Sequence, residues 1–261
     1  HEVAHQWWGH TLTPKVIDGG AIFVEGFAKY TEAVIMEQEY GKGAVFQLSE
    51  TANRRYFRGR TFANTLEPGL YLEDDQDYLA YGKSLTVMLA LRDLIGEKQL
   101  NSILRNLTDT YRDDEEFKVT ALDFIEDLYA ASPAKYHGLV DDWLKKVITY
   151  DLGIEESSYT QLPNGTFEVS ITIKAKRFET VASGETQEIG LDEPVRIGIF
   201  TTHPSLVKGE DAILHYEMQA IDQESTELKF IVSEKPEYIA IDPYGTRNDE
   251  NRVDNILRLE P

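Results

Sequence analysis

The sequence predicts an α+β chain, a helical half followed by an antiparallel β-sandwich. Three observations carry that prediction. Apolar residues recur at spacings of three and four up to about residue 150 and alternate with polar ones after it. Helix stops punctuate the first part, and turn residues at short intervals punctuate the second. The length of 261 residues suits two ordinary cores, since domains run to about 100–200 residues. The change of period falls near Leu152 and divides the chain into 1–152 and 153–261.

The elements follow in order. "VEGFAKYTEAVIMEQEYG" puts Phe27, Tyr30 and Val34 on one stripe and stops at Gly41. "KGAVFQLSETANRRYFRG" does the same with Val45, Leu48 and Tyr56 before Gly59. In "YLAYGKSLTVMLALRDLIG" the stretch from Leu85 to Ile95 is apolar on most sides, as a helix in the middle of its domain requires. Thr120 and Asp123 have the spacing of a capping box, and Pro133 after Ser132 is placed to open a helix over "AKYHGLVDDWLKKVITY". Beyond "YDLG" the period becomes two. Phe167, Val169, Ile171 and Ile173 alternate with polar residues, and "PVRIGIF", "LHYEMQA", "ELKFIVS" and "YIAI" repeat the pattern. Five or more such strands over about 100 residues suggest a sandwich.

Composition narrows the function. With 41% hydrophobic and 28% charged residues the chain has enough apolar surface to fold. Its formal charge is −20, and both parts are acidic: 16 basic against 24 acidic side chains up to residue 150, then 10 against 22. Such a surface repels phosphate backbones and anionic lipid, so nucleic acid is not an expected partner and neither is direct membrane contact. The absence of cysteine excludes disulfides and thiolate metal sites. The longest apolar run, "LTVMLALRDLI", is broken by Arg92 and Asp93 and is shorter than the roughly 20 residues of a membrane helix. The acidic "DDQD" and "RDDEE" stretches read as solvated loops. Asp242, Asp249, Asn251 and Asp254 lack the residue order of a calcium loop and read as a polar loop.

The chemistry lies at the start. "HEVAH" fits the HExxH pattern, which on a helix sets His1 and His5 on one face. From there both imidazoles can reach a single ion at about 2.0–2.1 Å. Glu2, one position along, is placed to take a proton from water bound to the ion. A catalytic zinc needs a third protein ligand and one open position. Glu25, heading the helix in "VEGFAKYTE", supplies the carboxylate.

With "HEVAHQWWGHTLTP" and "EGFAKYTE" in place, the sequence resembles the M1 zinc aminopeptidases. The resemblance implies a thermolysin-like helical catalytic half, then a β-sandwich, and one catalytic zinc held by His1, His5 and Glu25. It also implies Glu2 as general base and a peptide as substrate. The nineteen residues between His5 and Glu25 are one more than the family's usual spacer, and the extra residue falls in "KVIDGGAIF", where two glycines can absorb it. The family's oxyanion-stabilising tyrosine stands in a Tyr-x-Lys-Gly context. Here "YGKS" puts Tyr81 in that role, with Ser84 replacing the glycine and Tyr78 as the competing candidate. Trp7, Trp8 and Phe27 read as packing residues, and His10 as structural rather than a fourth ligand. Glu32 is placed to accept a hydrogen bond from a ligand imidazole.

The longer spacer is similar to a bacterial branch in which the peptidase domain follows the membrane spans of an ABC-type permease. That likeness implies a parent that is a membrane transporter subunit with this part extracytoplasmic; the alternative is a cytoplasmic protein. The family's Gly-x-Met-Glu-Asn motif, whose glutamate holds the substrate's amine, is absent from the chain. The expectation is therefore a C-terminal fragment of a longer peptidase. By itself it would hold zinc weakly or not at all, because His1 lacks a preceding turn, and would be inactive. Two rival readings are a non-catalytic extracytoplasmic domain that binds peptides or partner subunits, and a thermolysin-type endopeptidase. Intact Glu2 argues against the first, and the "EGFA" context with a following β domain argues against the second.

Overall fold

The computed structural model describes residues 1–15, 19–73, 76–113, 116 and 118–260. Outside them lie Val16, Ile17 and Asp18 of the lengthened spacer, and parts of the expected acidic loops "DDQD" and "RDDEE". Six α-helices are described: α1 Phe27–Tyr40, α2 Lys42–Phe62, α3 Ser84–Ile95, α4 Glu97–Tyr111, α5 Ala121–Ala131 and α6 His137–Lys145. Eight strands follow: β1 Ile148–Gln161, β2 Phe167–Thr180, β3 Thr186–Ile189, β4 Glu193–Phe200, β5 Ile213–Ile221, β6 Ser225–Val232, β7 Tyr238–Ile241 and β8 Ile256–Arg258. The α+β order of the sequence reading is thus the observed one. β1 begins at Ile148, ahead of Leu152. Two compact units form: His1–Ile35 with Thr51–Ile148 and Thr180–Thr186, and Met36–Glu50 with Thr149–Glu179 and Gln187–Pro261.

In the first unit α3 is the central helix, with Leu85, Val87, Met88, Leu89, Ala90 and Leu91 all buried. Each large apolar side chain so enclosed stabilises the fold by about 1.5–3 kcal/mol. α1 stops at Gly41, as expected, and α3 ends at Ile95, before Gly96. α2 does not stop at Gly59 but runs to Phe62. Gly59 is instead where this helix touches Tyr78, since a Cβ there would lie 2.1 Å from the tyrosine Cβ. α5 opens on the expected capping box, the Thr120 N–H donating to the Asp123 carboxylate at 2.8 Å. Pro133 is extended (ψ 139°) and not helical, and α6 starts only at His137 after a short 3-10 turn. α4 has no counterpart among the expected helices, although Leu100, Ile103, Leu104 and Leu107 sit at helical spacing and are buried.

The second unit carries two four-stranded sheets, one in the order β1-β2-β3 with β6 also paired to β2, the other β5-β4-β7-β8. Alternation fixes the register. Val169, Ile171 and Ile173 are buried on β2 and face Phe230, Leu228 and Thr226 of β6 across an antiparallel ladder. β4 buries Val195, Ile197 and Ile199 and pairs antiparallel with β5 and β7.

The polar loop after β7 is buried rather than solvated. The Asp242 carboxylate accepts hydrogen bonds from Thr246 N and Oγ1 (2.8 and 2.7 Å), Arg247 N (3.0 Å) and Arg252 Nη1 (3.2 Å). Donors therefore occupy the oxygens a cation would need. Burial pushes the Asp249 carboxyl up to about 7, against the lowering effects of the Leu152 N–H bond and of Arg252. The folded value exceeds the unfolded one of about 3.9, so the folded state holds this proton more tightly. The associated stability is full at acid pH, falls as the unfolded chain ionises, and is gone once pH passes about 7. Asp249→Asn is expected to flatten that decline, read as urea-unfolding free energy against pH for both proteins.

Candidate metal centre

The HExxH stretch is not the α-helix expected. It is a tight turn, with a 3-10 segment at Ala4–Gln6 closed by Ala4 N–H to His1 O (2.8 Å) and Trp7 N–H to Ala4 O (3.0 Å). Gly9, at φ +95°, ends it, and the Trp7 carbonyl then takes the N–H groups of Thr11 and Leu12. A run this short cannot sustain an α-helix alone. The two imidazoles nevertheless meet, with His1 Nε2 and His5 Nε2 3.2 Å apart.

Glu25 and Tyr81 come from two π-helical turns, Ile22–Gly26 at the start of α1 and Tyr78–Lys83 at the start of α3. Such turns insert a residue and re-aim side chains, and they recur at functional sites. Gly26 lets the two segments approach, because a Cβ there would lie 3.0 Å from that of Ser84. Ser84 is buried and donates to Leu79 O at 3.0 Å.

Glu25 Oε2 lies 3.2 Å from His1 Nε2 and 3.5 Å from His5 Nε2. Ligands of a tetrahedral zinc, at about 2.0–2.1 Å from the ion, stand about 3.3 Å from one another. The three observed separations of 3.2, 3.2 and 3.5 Å match that edge. Glu25 Oε2 is buried and has no hydrogen-bond partner, an orphaned acceptor that a cation would satisfy. Among the described residues these three form the single group able to gather ligand atoms in this way. The donor set of two imidazoles and a carboxylate is that of a catalytic zinc with one position left open.

The supports are partly those expected. His5 Nδ1 is 3.1 Å from Trp8 O, which places the proton on Nδ1 and leaves the Nε2 lone pair for a metal. Trp8 is buried, packs edge-on against Phe27 at 5.3 Å, and donates Nε1–H to Thr31 Oγ1 at 2.8 Å. Trp7 departs from its expected packing role and is 48% exposed. His10 is exposed and outside the cluster. Glu32 Oε2 stands 3.8 Å from His1 Nδ1, beyond a hydrogen bond, and is engaged by Lys29 Nζ at 2.8 Å. Glu2 is exposed.

Tyr81 lies beside the cluster, its ring centroid 5.7 Å from that of His1. Tyr78 is buried and packs on Tyr56 at 6.1 Å instead. Burial, then a hydrogen bond to Glu25 and its charge, push the Tyr81 hydroxyl up to about 12, so it is a neutral donor. Lys83 is buried and reaches Glu67 Oε1 (2.8 Å) and Lys146 O (3.2 Å), which anchors the π turn rather than the cluster. Sequence reasoning missed Arg55, whose guanidinium lies 4.8 Å over the Tyr81 ring. Nothing in the spacing of "NRRYFRGR" links it to a tyrosine on another helix.

The model of the Peptidase family M1 domain matches residues 1–143 of the chain, almost the whole run from His1 to α6. No curated protein matches it.

Proposed function

The chain belongs to peptidase family M1, and from that premise we propose that it serves the zinc-dependent removal of N-terminal amino acids from peptides. The observation that carries the reading is the convergence of His1, His5 and Glu25 at tetrahedral spacing. Zinc held there would supply a Lewis acid for the scissile carbonyl and a water nucleophile at neutral pH.

The chain's own residues divide the remaining work. The Glu2 carboxylate takes a proton from the attacking water and returns it to the leaving amine. The Tyr81 hydroxyl donates to the developing oxyanion, and its raised pKa keeps the proton in place across the physiological range. The Trp8–Thr31 bond and the Trp8 carbonyl hold the His5 ring in its orientation. Among the described residues no helix is long and apolar enough to cross a membrane.

An aminoacyl fluorogenic amide and its N-blocked counterpart test the proposal. The protein is expected to cleave the free-amine form at least about 100-fold faster, because a site built around an ammonium leaves its partner carboxylate unpaired with the blocked form. A chelator should abolish cleavage and zinc restore it. Equal rates on the two substrates would point to an endopeptidase, and activity indifferent to chelation would end the zinc assignment.

A further inference from the structure

A groove of about 800 Å³ runs along α2 in the first unit, lined by Arg54, Arg55, Arg58, Phe62, Asp77 and Tyr78. Three exposed guanidinium groups within five residues stand out on a chain of formal charge −20. Arg54 and Arg58 are one helical turn apart, a like-charged spacing that disfavours the helix. Among the described residues neither makes an ion pair. Asp77, the acidic member of the lining, offsets part of the positive field without closing on them.

The groove adjoins the metal cluster. Arg55 lies over the Tyr81 ring, and the charges of both Asp77 and Arg55 act on the Tyr81 hydroxyl, the first raising and the second lowering its pKa. A peptide whose scissile bond lies at Tyr81 and the metal ligands would therefore pass its remaining length within reach of this arginine face. Guanidinium forks match carboxylates in two-point geometry, and the buried Tyr78 and exposed Phe62 add apolar lining for the adjoining chain.

We propose that Arg54 and Arg58 bind a carboxylate of the peptide substrate, so that the site favours short or acidic peptides. The inference rests on the peptidase reading for the identity of the ligand, but its test needs no turnover. The metal-free chain is titrated by calorimetry with N-acetylated tetra-alanine as the free acid, as the C-terminal amide, and as the amide with one alanine replaced by aspartate. Acetylation removes the competing amine. The carboxylate-bearing peptides are expected to bind about tenfold more tightly than the neutral amide, as for a charge-assisted bond at a partly solvated site. The gain should vanish in Arg54→Gln/Arg58→Gln and persist in part in Arg54→Lys/Arg58→Lys.

A gain confined to the free acid assigns the terminal carboxylate, and one confined to the aspartyl amide assigns a side chain; either supports the proposal. Equal affinities for all three peptides, or a preference that survives Arg54→Gln/Arg58→Gln, overturns it. Absence of zinc-dependent cleavage is a separate result and strikes only the peptidase reading. Both substitutions lie on an exposed helix face, and an unchanged melting temperature shows that the fold is intact.

Discussion

Glu2→Gln is expected to leave zinc uptake unchanged and to lower turnover about thousandfold, within the range that general-base catalysis supplies. The side chain is exposed and takes no part in the three-atom cluster, so its amide should disturb neither ligand geometry nor packing. What it loses is the ability to accept a proton. His5→Ala should behave differently. It deletes one of three converging ligands and should weaken zinc by more than the roughly 100-fold that losing an outer support costs, and turnover should fall with it.

Competition against a chromophoric chelator reads affinity, and kcat on an aminoacyl amide reads turnover. If Glu2→Gln kept turnover within tenfold of the parent, the general base would have to be sought elsewhere. If His5→Ala bound zinc as well as the unsubstituted chain, the cluster would not be the metal site.

Arg247→Met is expected to lower the unfolding free energy by about 3–5 kcal/mol, the cost of removing one partner from a buried ion pair. Arg247 is fully enclosed in the second unit. Its Nε donates to Glu193 Oε1 at 2.8 Å, Nη1 to Thr246 O at 3.0 Å, and Nη2 to Pro194 O at 2.9 Å. Glu193 is equally enclosed, and once the arginine is gone its carboxylate still has the Tyr150 hydroxyl at 3.2 Å and Arg177 at 3.9 Å beside it. The penalty thus comes from stranding a carboxylate rather than from losing attraction as such. The double variant Arg247→Met/Glu193→Leu should accordingly recover most of the loss. Urea unfolding of the three proteins decides it: a single-variant cost below about 1 kcal/mol would mean that water or Arg177 compensates, in the manner of an exposed pair.

Much of this was legible because local rules and tertiary needs coincide. The period change near Leu152 marks real strands, since one buried face per strand demands alternation, and Val169, Ile171 and Ile173 obey it. Gly41 ends a helix where expected. Gly59 misleads, because its small size serves contact with Tyr78 and not a helix stop. The loop after β7 is polar, as read, but its burial was not legible. Its polar residues look solvent-bound, yet Asp242, Arg247 and Arg252 satisfy one another and can be buried.

By itself the sequence determined the chemistry: two imidazoles and a carboxylate that can share an ion, a second carboxylate beside them, and the α+β order that carries them. Donor types and their spacing are properties of the chain, and they survive even where the expected α-helix is only a tight turn. The tertiary structure alone decided how those groups are held. Two π-helical turns, brought close by Gly26 against Ser84, aim Glu25 and Tyr81 at the histidines, and Arg55 reaches Tyr81 from another helix. Such juxtapositions depend on packing between segments tens of residues apart, and no local pattern encodes the distance between them.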